Sequence, residues 1–464
     1  MQTHLPSGDG SGSGAGLGAG LGSGLVLAPL RGVRYDLSRV GGLANVTSPP
    51  YDVIGPEALQ RLRAASPYNV VRLILPAPAQ PRDEPSGPEG DPAADARAAG
   101  RAAARLLGDW LADGALAVDA DAALYVYEQR GPDWVQRGLI GLVAVGSDAV
   151  HPHEAVMPGP VAGRRELMKA TRSNLEPILL AYNGGAGAGG HGGPAGPGLT
   201  ASRLVDAVAD ADQALASAVT ADGVTHRLWA VTDPAVQQAI AADLATRTAL
   251  IADGHHRYAA YRELQAEMRA SGAGDGPWDY GLAFLVDMDA YPLRLGAIHR
   301  VLPGLRPAAA ARLAADAFRV TELTADLDGA LAALREAGAS GTAFLLAGTG
   351  QYWLLTDPDP GQLAAAMPAG ASARWRALDA AALRELLFAR LWSVKDNERE
   401  VEISHHPEEA ERMADACGGT AVLCNPMQVS AVLELAAHGE KVPRKSTSFG
   451  PKPRTGVVLR TFDA

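Results

Sequence analysis

The stretch Leu250-Ile251-Ala252-Asp253-Gly254-His255-His256-Arg257-Tyr258 decides how this chain is read. The run from Thr248 to Ala252 reads as a buried strand. It breaks at Asp253-Gly254, a turn dipeptide. Tyr258, Tyr261, Leu264 and Met268 then recur at helical spacing and form one apolar face. Two histidines and an arginine therefore stand in the first turn of a helix, just after a glycine. Backbone N–H groups have no partner there, and the helix dipole favours an anion. Arg257 adds a planar, forked cation suited to phosphate. The pattern points to nucleotides or phosphorylated metabolites. A lone Asp-Gly-His is a common surface turn; the histidine pair and arginine behind a buried strand carry the functional reading.

Composition sets the bounds. At 464 residues the chain exceeds the usual size of one domain, so two or three are expected. A net charge of −11 argues against broad binding to nucleic acid, although a local basic patch is a separate matter. Cys417 and Cys424 stand without a second pair nearby, which supports neither a zinc ribbon nor a disulfide framework. They read as reduced thiols of a cytoplasmic protein. No segment has the length and apolarity of a membrane span. Heavy use of Ala, Gly, Arg and Asp fits a GC-rich bacterial genome. Composition leaves a homo-oligomer open.

Along the chain, helical and strand patterns alternate. That means an α/β or α+β protein, and the fold class expected is α+β, with mixed sheets, flanking helices and a strand–turn–helix core. Residues 1–25 are Gly/Ser-rich without a charged start, and read as a disordered tail rather than a signal peptide. Residues 26–305 form the expected core, with flexible insertions near 77–98 and 184–198. Residues 306–464 form a second α/β region that carries a basic loop, 441–456. Within this frame Pro56 to Ala65 is a predicted helix, Tyr68 to Leu75 a strand, and Ala94 to Asp113 a helix. Strands from Ala123 to Gln129 and from Trp134 to Val145 form a hairpin through Arg130-Gly131-Pro132-Asp133. Further expectations are a helix over 202–217, strands at Leu295 to Val301 and 456–461, and helices over 378–391 and 407–416.

Three other stretches carry chemistry. The loop Lys441 to Gly456 holds five cations and no acid, and prolines and glycines keep it open. Lys445, Ser446 and Thr447 stand in a row as anion donors. It lacks the glycine spacing of a P-loop. His151-Pro152-His153-Glu154 places two imidazoles on one side of an extended segment, a pattern that suits a metal once a third ligand, such as Asp287, is found. Glu154 suits a general base, or a Mg²⁺ ligand. Ser48-Pro49-Pro50-Tyr51-Asp52 presents Tyr51 and Asp52 on a stiff backbone at the edge of a cleft; a rigid lead into the helix at Pro56 explains it equally well. Arg164 follows the histidine segment as a further cleft candidate. His299-Arg300 is a weaker phosphate candidate, and Ser404-His405-His406-Pro407 reads as a surface helix start.

Taken together, these motifs resemble the bacterial family filed as domain of unknown function 1015. The resemblance rests on Pro49-Pro50-Tyr51-Asp52-Val53-Ile54, Ser66-Pro67-Tyr68-Asn69-Val70-Val71-Arg72-Leu73, His153-Glu154 with Met157-Pro158-Gly159-Pro160, Ala252 to Tyr258, and Lys445-Ser446-Thr447 with Phe449, Pro451 and Lys452. It runs in order from about residue 28 to the end of the sequence. The Asp-Gly-His-His-Arg turn is also similar to the nucleotide-binding turn of the ParB/sulfiredoxin superfamily, whose branches include free-serine kinases. Sulfiredoxin chemistry is not implied, because the cysteine it needs is replaced by Asp253-Gly254. A ParB-type DNA module is not implied either, since no helix-turn-helix pattern accompanies the acidic charge.

The resemblance and the residues together imply a small-molecule kinase. It would move phosphate from a nucleoside di- or triphosphate, with Mg²⁺, to a hydroxyl metabolite such as free serine. In this expectation His255, His256 and Arg257 hold phosphates and stabilise charge. Gly254, Lys445, Ser446, Thr447 and Lys452 complete the cradle, Asp253 orients the acceptor or Mg²⁺, and Glu154 is the base. Tyr51, Asp52, His153 and Arg164 line the cleft. Arg257→Ala should then abolish turnover with little change in folding. Two alternatives stand beside it: a nucleotide-binding regulator without catalysis, and a metal-dependent phosphohydrolase built on His151, His153 and Asp287.

Overall fold

A computed structural model describes residues 24–76, 92–185, 200–211, 213–397 and 399–464. Expectations for residues 1–23, 77–91 and 186–199 lie outside the described residues. The fold is α+β, with two large sheets and helices packed on both.

The first sheet has nine strands. Its order is Val150–His151, Ala249–Asp253, Ile178–Tyr182, Tyr280–Asp287, Val135–Ala144, Leu124–Arg130, Thr225–Val231 and Ala216–Val219, with Leu27–Ala28 beside Val143 and Leu142. Parallel and antiparallel pairs are mixed. The central strands are apolar at almost every position because both faces are covered. In Tyr280–Asp287, Leu282, Phe284 and Val286 enter one core and Ala283 and Leu285 the other, as the two-residue period of a strand demands. Each such buried Leu, Phe or Val contributes roughly 1.5–3 kcal/mol. Tyr258, Tyr261 and Leu264 of the helix His255–Ala270 join the second of these cores, with Met268 packed at its edge. The apolar stripe predicted from sequence therefore anchors the helix beside its own strand.

The second sheet has six strands, all paired antiparallel: Arg319–Leu323, Gln351–Thr356, Phe344–Gly348, Thr420–Cys424, His299–Leu302 and Glu402–Ser404. Pro307–Ala314 and the segment Ala382–Trp392 pack on one face, Leu327–Gly338 and Pro407–Cys417 on the other. Ala382–Trp392 is wound as a π-helix.

Several expectations need correction. Tyr68 to Leu75 is not a strand; Val71–Ile74 is a short helical turn. Asn69 explains it: its Oδ1 accepts from the Val71 N–H at 3.0 Å, while its Nδ2 donates to the carbonyls of Asn45 and Thr47. Such side-chain bonds give the backbone a local alternative to a ladder. The helix expected over 202–217 ends at Ala211, and Ala216–Val219 forms an edge strand against Thr225–Leu228. The strand expected over Leu295 to Val301 divides. Arg294–Gly296 pairs with Ser448–Gly450, and His299–Leu302 passes into the second sheet. Of the strand at 456–461, only Arg460–Thr461 pairs as a strand, with Ser173–Asn174.

The segment after the basic loop returns to the first body. Thr455 bridges Ser48, and Leu459 bridges Val33. The loop itself thus runs past both sheets, which sets where its cations arrive.

Candidate functional site

The strand Ala249–Asp253 ends in a turn that only glycine fits. Gly254 has φ +93°, and a Cβ there would meet Ile178 Cγ2 at 2.9 Å. The helix that follows starts with no side-chain cap, so its first N–H groups have no side-chain acceptor. A pocket opens at this point. It is lined by Tyr51, Asp52, Glu154, Asp253, Gly254, His255, His256 and Arg257, and by Lys445, Thr447, Lys452, His405 and Ile298. Six distant stretches of sequence therefore meet in one place.

Lys452 is the hub. Its ammonium lies 2.6 Å from Asp253 Oδ1 and 3.3 Å from Asp52 Oδ2. Burial opposes its charge, but Asp253 and Asp52 outweigh that and raise its pKa above the ordinary lysine value. Asp52 has an exposed backbone, yet its carboxylate is only 25% exposed. Burial pushes that carboxyl up; Lys452, Arg257 and Lys445 pull harder and bring it to about 2.

Arg257 sits beneath. Its Nη2 donates to Asp253 Oδ2 at 2.5 Å and its Nη1 to the Pro177 carbonyl at 2.6 Å. Burial disfavours its charge, but Glu176, Asp253 and Asp52 more than offset this. Arg164 stacks over the Tyr51 ring, 4.3 Å from its centroid, and pairs with Glu176 at 3.5 Å. It supports Tyr51 from behind and does not line the pocket.

The histidines act as neutral acceptors. His255 Nε2 accepts from the His153 backbone N–H at 3.3 Å, and His256 Nε2 from that of Met157 at 3.1 Å. Burial, reinforced for His255 by His153 and His256, lowers both pKa values. They tie the segment 151–157 to the helix start and so place Glu154. The His153 ring is wholly buried between His255 and Phe449, with Nε2 2.9 Å from Thr447 Oγ1. Burial holds it neutral, its pKa lowered to about 4.

Glu154 faces the pocket and accepts from the Lys445 backbone N–H at 2.6 Å. Burial raises its pKa against the pull of Lys445, and Asp253 adds to the rise. Lys445 has φ +53°, held by Arg300, which donates to its carbonyl at 2.7 Å. The Lys445 ammonium forms no ion pair among the described residues. Arg300, a phosphate candidate in the sequence, is spent on backbone carbonyls.

Not every candidate converges. Ser446 faces a second cleft on the other side of the loop. Asp287 accepts from the Gly184 N–H and the Ser202 hydroxyl, away from the pocket. His151 sits on the edge strand and does not line it. Among the described residues no group of three or more His, Cys, Asp or Glu side chains is placed to hold a metal ion. The metal set of His151, His153 and Asp287 is thus corrected: His153 is spent on Thr447 and Asp287 on Gly184 and Ser202. Sequence reasoning missed His405, which reaches the pocket from the second sheet. Burial, then Lys452, lowers its pKa to about 4. The only signal was its place beside a strand end, which carries no hint of what lies across the fold.

A family model described as a protein of unknown function, DUF1015, matches residues 27–381. The chain belongs to the DUF1015 family. That match spans the Tyr51-Asp52, His153-Glu154 and Asp253–Arg257 stretches of the pocket. No curated protein matches the chain. Among solved structures, this DUF1015 member is similar to a free serine kinase in complex with AMP, at 16% identity and TM-score 0.31, over 65% of this chain and 84% of that one. A conserved hypothetical protein from Pyrococcus furiosus gives 15% identity and TM-score 0.34, over 68% and 91%. SbnI from Staphylococcus aureus, with a C-terminal truncation, gives 11% and 0.30, over 67% and 82%. Likeness at this level says nothing about the chemistry of the pocket. Among the described residues no helix is long and apolar enough to cross a membrane.

Proposed function

We propose that the pocket transfers a phosphoryl group from a magnesium–nucleotide to the hydroxyl of a small metabolite. One observation carries this reading: Lys445, Thr447 and Lys452 meet the Asp253-Gly254 turn, an uncapped helix start and the half-buried Glu154 in a single polar pocket. Phosphoryl transfer asks for positioning and charge neutralisation above all, and this set offers both.

The charges favour a nucleotide that arrives with a divalent cation. Three carboxylates (Asp52, Glu154, Asp253) face three fixed cations (Arg257, Lys445, Lys452). A balanced site gains little from a bare polyphosphate. Asp52 and Asp253 fit Mg²⁺ in the way such sites are usually built, with one or two carboxylates and the rest from phosphate and water. Their oxygens already share one cation, the Lys452 ammonium. When bound, the ion neutralises phosphate charge.

In this proposal Lys445, Thr447 and the N–H groups after Gly254 hold the phosphates. Lys452 turns from the carboxylates toward them. Glu154 takes the proton of the acceptor hydroxyl, whose oxygen attacks the terminal phosphorus. The bond to the bridging oxygen breaks and the nucleotide, one phosphate shorter, leaves. His255 and His256 position the Glu154 segment, and Arg257 positions Asp253; neither role needs contact with phosphate.

Thermal unfolding with ATP, ADP, CTP and GTP plus Mg²⁺ tests the binding step, since a ligand of the native state raises Tm. One nucleotide should raise Tm in the wild type and lose most of that effect in Lys445→Ala. An acceptor screen, with free serine first, should then show acceptor-dependent loss of the terminal phosphate from that nucleotide. Absence of any nucleotide effect overturns the reading. Binding without acceptor-dependent turnover replaces it with a nucleotide-binding regulator.

A further inference from the structure

We infer that the larger cleft beside the pocket seats the nucleoside half of the nucleotide, so that one molecule spans both compartments. The inference rests on the phosphoryl-transfer reading and gives it a donor site.

The two spaces differ greatly in size. The pocket at the Asp-Gly turn encloses about 40 Å³, room for a few waters, with the Lys452 ammonium against Asp253 in its lining. The neighbouring cleft encloses about 580 Å³, within the usual range for small-molecule sites. A small hydroxy acid would leave most of it empty.

The spaces are separated by one thickness of chain. Ile298 lines both. In the basic loop Lys445 and Thr447 face the small pocket while Ser446, between them, faces the large cleft. Arg300 pins this wall, donating to the carbonyls of Ile298 at 2.9 Å and Lys445 at 2.7 Å. A ligand leaning over the wall would meet a hydroxyl on one side and an ammonium on the other.

The lining fixes the orientation. Phe344, Leu383 and Met427 give the cleft apolar walls, which suit a flat heteroaromatic ring. Asn425 and Gln428 bring amides, with donors and acceptors for a base edge. Asp379 and Arg335 both line it and balance each other, while Arg300 is held by the carbonyls of the wall, so the cleft itself offers phosphate no net attraction. The phosphates therefore belong on the Lys445 side. The cleft also borders the π-helix through Leu383, and π-helical segments recur at functional sites.

Calorimetric titration with Mg²⁺–ATP and with Mg²⁺–tripolyphosphate separates the two compartments. Ala431→Trp projects an indole into the cleft from the helix Val429–Ala437. Gln428→Ala, at an exposed position, is a second variant that leaves the core untouched. Expected are at least a tenfold loss of ATP affinity in Ala431→Trp, a severalfold loss in Gln428→Ala, and unchanged tripolyphosphate binding in both. Unchanged ATP affinity in both variants overturns the nucleoside cleft and leaves the kinase reading standing. So does a rise confined to the acceptor KM, which would give the cleft to the acceptor. Equal loss of ATP and tripolyphosphate in folded variants also overturns it. A wild-type protein that binds neither tripolyphosphate nor any of ATP, ADP, CTP and GTP refutes the parent reading and this inference with it.

Discussion

Arg257 was read from the sequence as a phosphate ligand whose loss leaves folding intact. The structure makes the opposite prediction. The Arg257 side chain is 3% exposed and that of Asp253 11%, with 2.5 Å between Nη2 and Oδ2. Removing one partner of a buried pair costs about 3–5 kcal/mol, because the other charge is left uncompensated. In Arg257→Met, Asp253 keeps Lys452 at 2.6 Å, so the loss should fall near ~3 kcal/mol. In Asp253→Ala, both Arg257 and Lys452 lose their partner, and the loss should approach ~5 kcal/mol. The double variant removes the pair together and should cost no more than ~5 kcal/mol, where additivity would require ~8; the coupling is then ~3 kcal/mol. Urea unfolding with an unchanged m-value measures each term. For Arg257→Met, Tm should drop by roughly 3–5 °C. A melting point within about 1 °C of wild type, or strict additivity in the cycle, would refute the buried-pair account.

Three further outcomes are expected. Glu154→Gln should lower kcat by about 10²–10⁴-fold with little change in nucleotide affinity. In the wild type kcat should rise with pH through the raised Glu154 pKa, since the base works deprotonated, and this limb should vanish in the variant. Stability should fall as pH drops from about 6.5 toward 4. His153, His226 and His299 are almost wholly buried, and burial lowers each pKa to about 4. The unfolded chain therefore binds protons that the folded one refuses. Each contributes a slope of about 1.4 kcal/mol per pH unit in that window, and His226→Gln should flatten the urea-derived profile. Gly254→Ala should destabilise by at least ~1 kcal/mol and abolish nucleotide-induced stabilisation, because φ +93° and the 2.9 Å approach of Ile178 leave no place for Cβ. A variant that still responds to nucleotide would detach the turn from phosphate binding.

How far the sequence carried depends on whether the signal was local. The strand–turn–helix at 249–270 was legible because an apolar run, an Asp-Gly break and a 3.6-residue stripe follow one another. The hairpin through Arg130 to Asp133 was legible for the same reason. Tyr68 to Leu75 was not: a short apolar run suits strand or buried helix alike, and Asn69 decided it through bonds to Asn45 and Thr47. The break between Gly296 and His299 left no periodic trace, because both halves are strands and differ only in their partners. Within the site, residue types were legible and mutual geometry was not. Lys445 and Ser446 are adjacent and alike as donors, yet they face different spaces. Arg257 carries the fork that phosphate prefers, but Asp253, four residues earlier, takes it. His405 entered the pocket through sheet order, which no local pattern encodes.

The return of the basic loop to the first body has a consequence for how the chain reaches its native state. Asp253 and Arg257 emerge during synthesis long before Lys452, and the ladder partner of Arg294–Gly296 is Ser448–Gly450. Contacts so far apart in sequence close late, after the loops between them have been ordered. Until then a growing chain holds Asp52 and Asp253 without their lysine and leaves the Arg294–Gly296 edge unpaired. Such an edge is open to mispairing and to chaperones. Binding competence should therefore arrive abruptly, near the end of a folding process whose earlier stages already contain the strand, the turn and the helix.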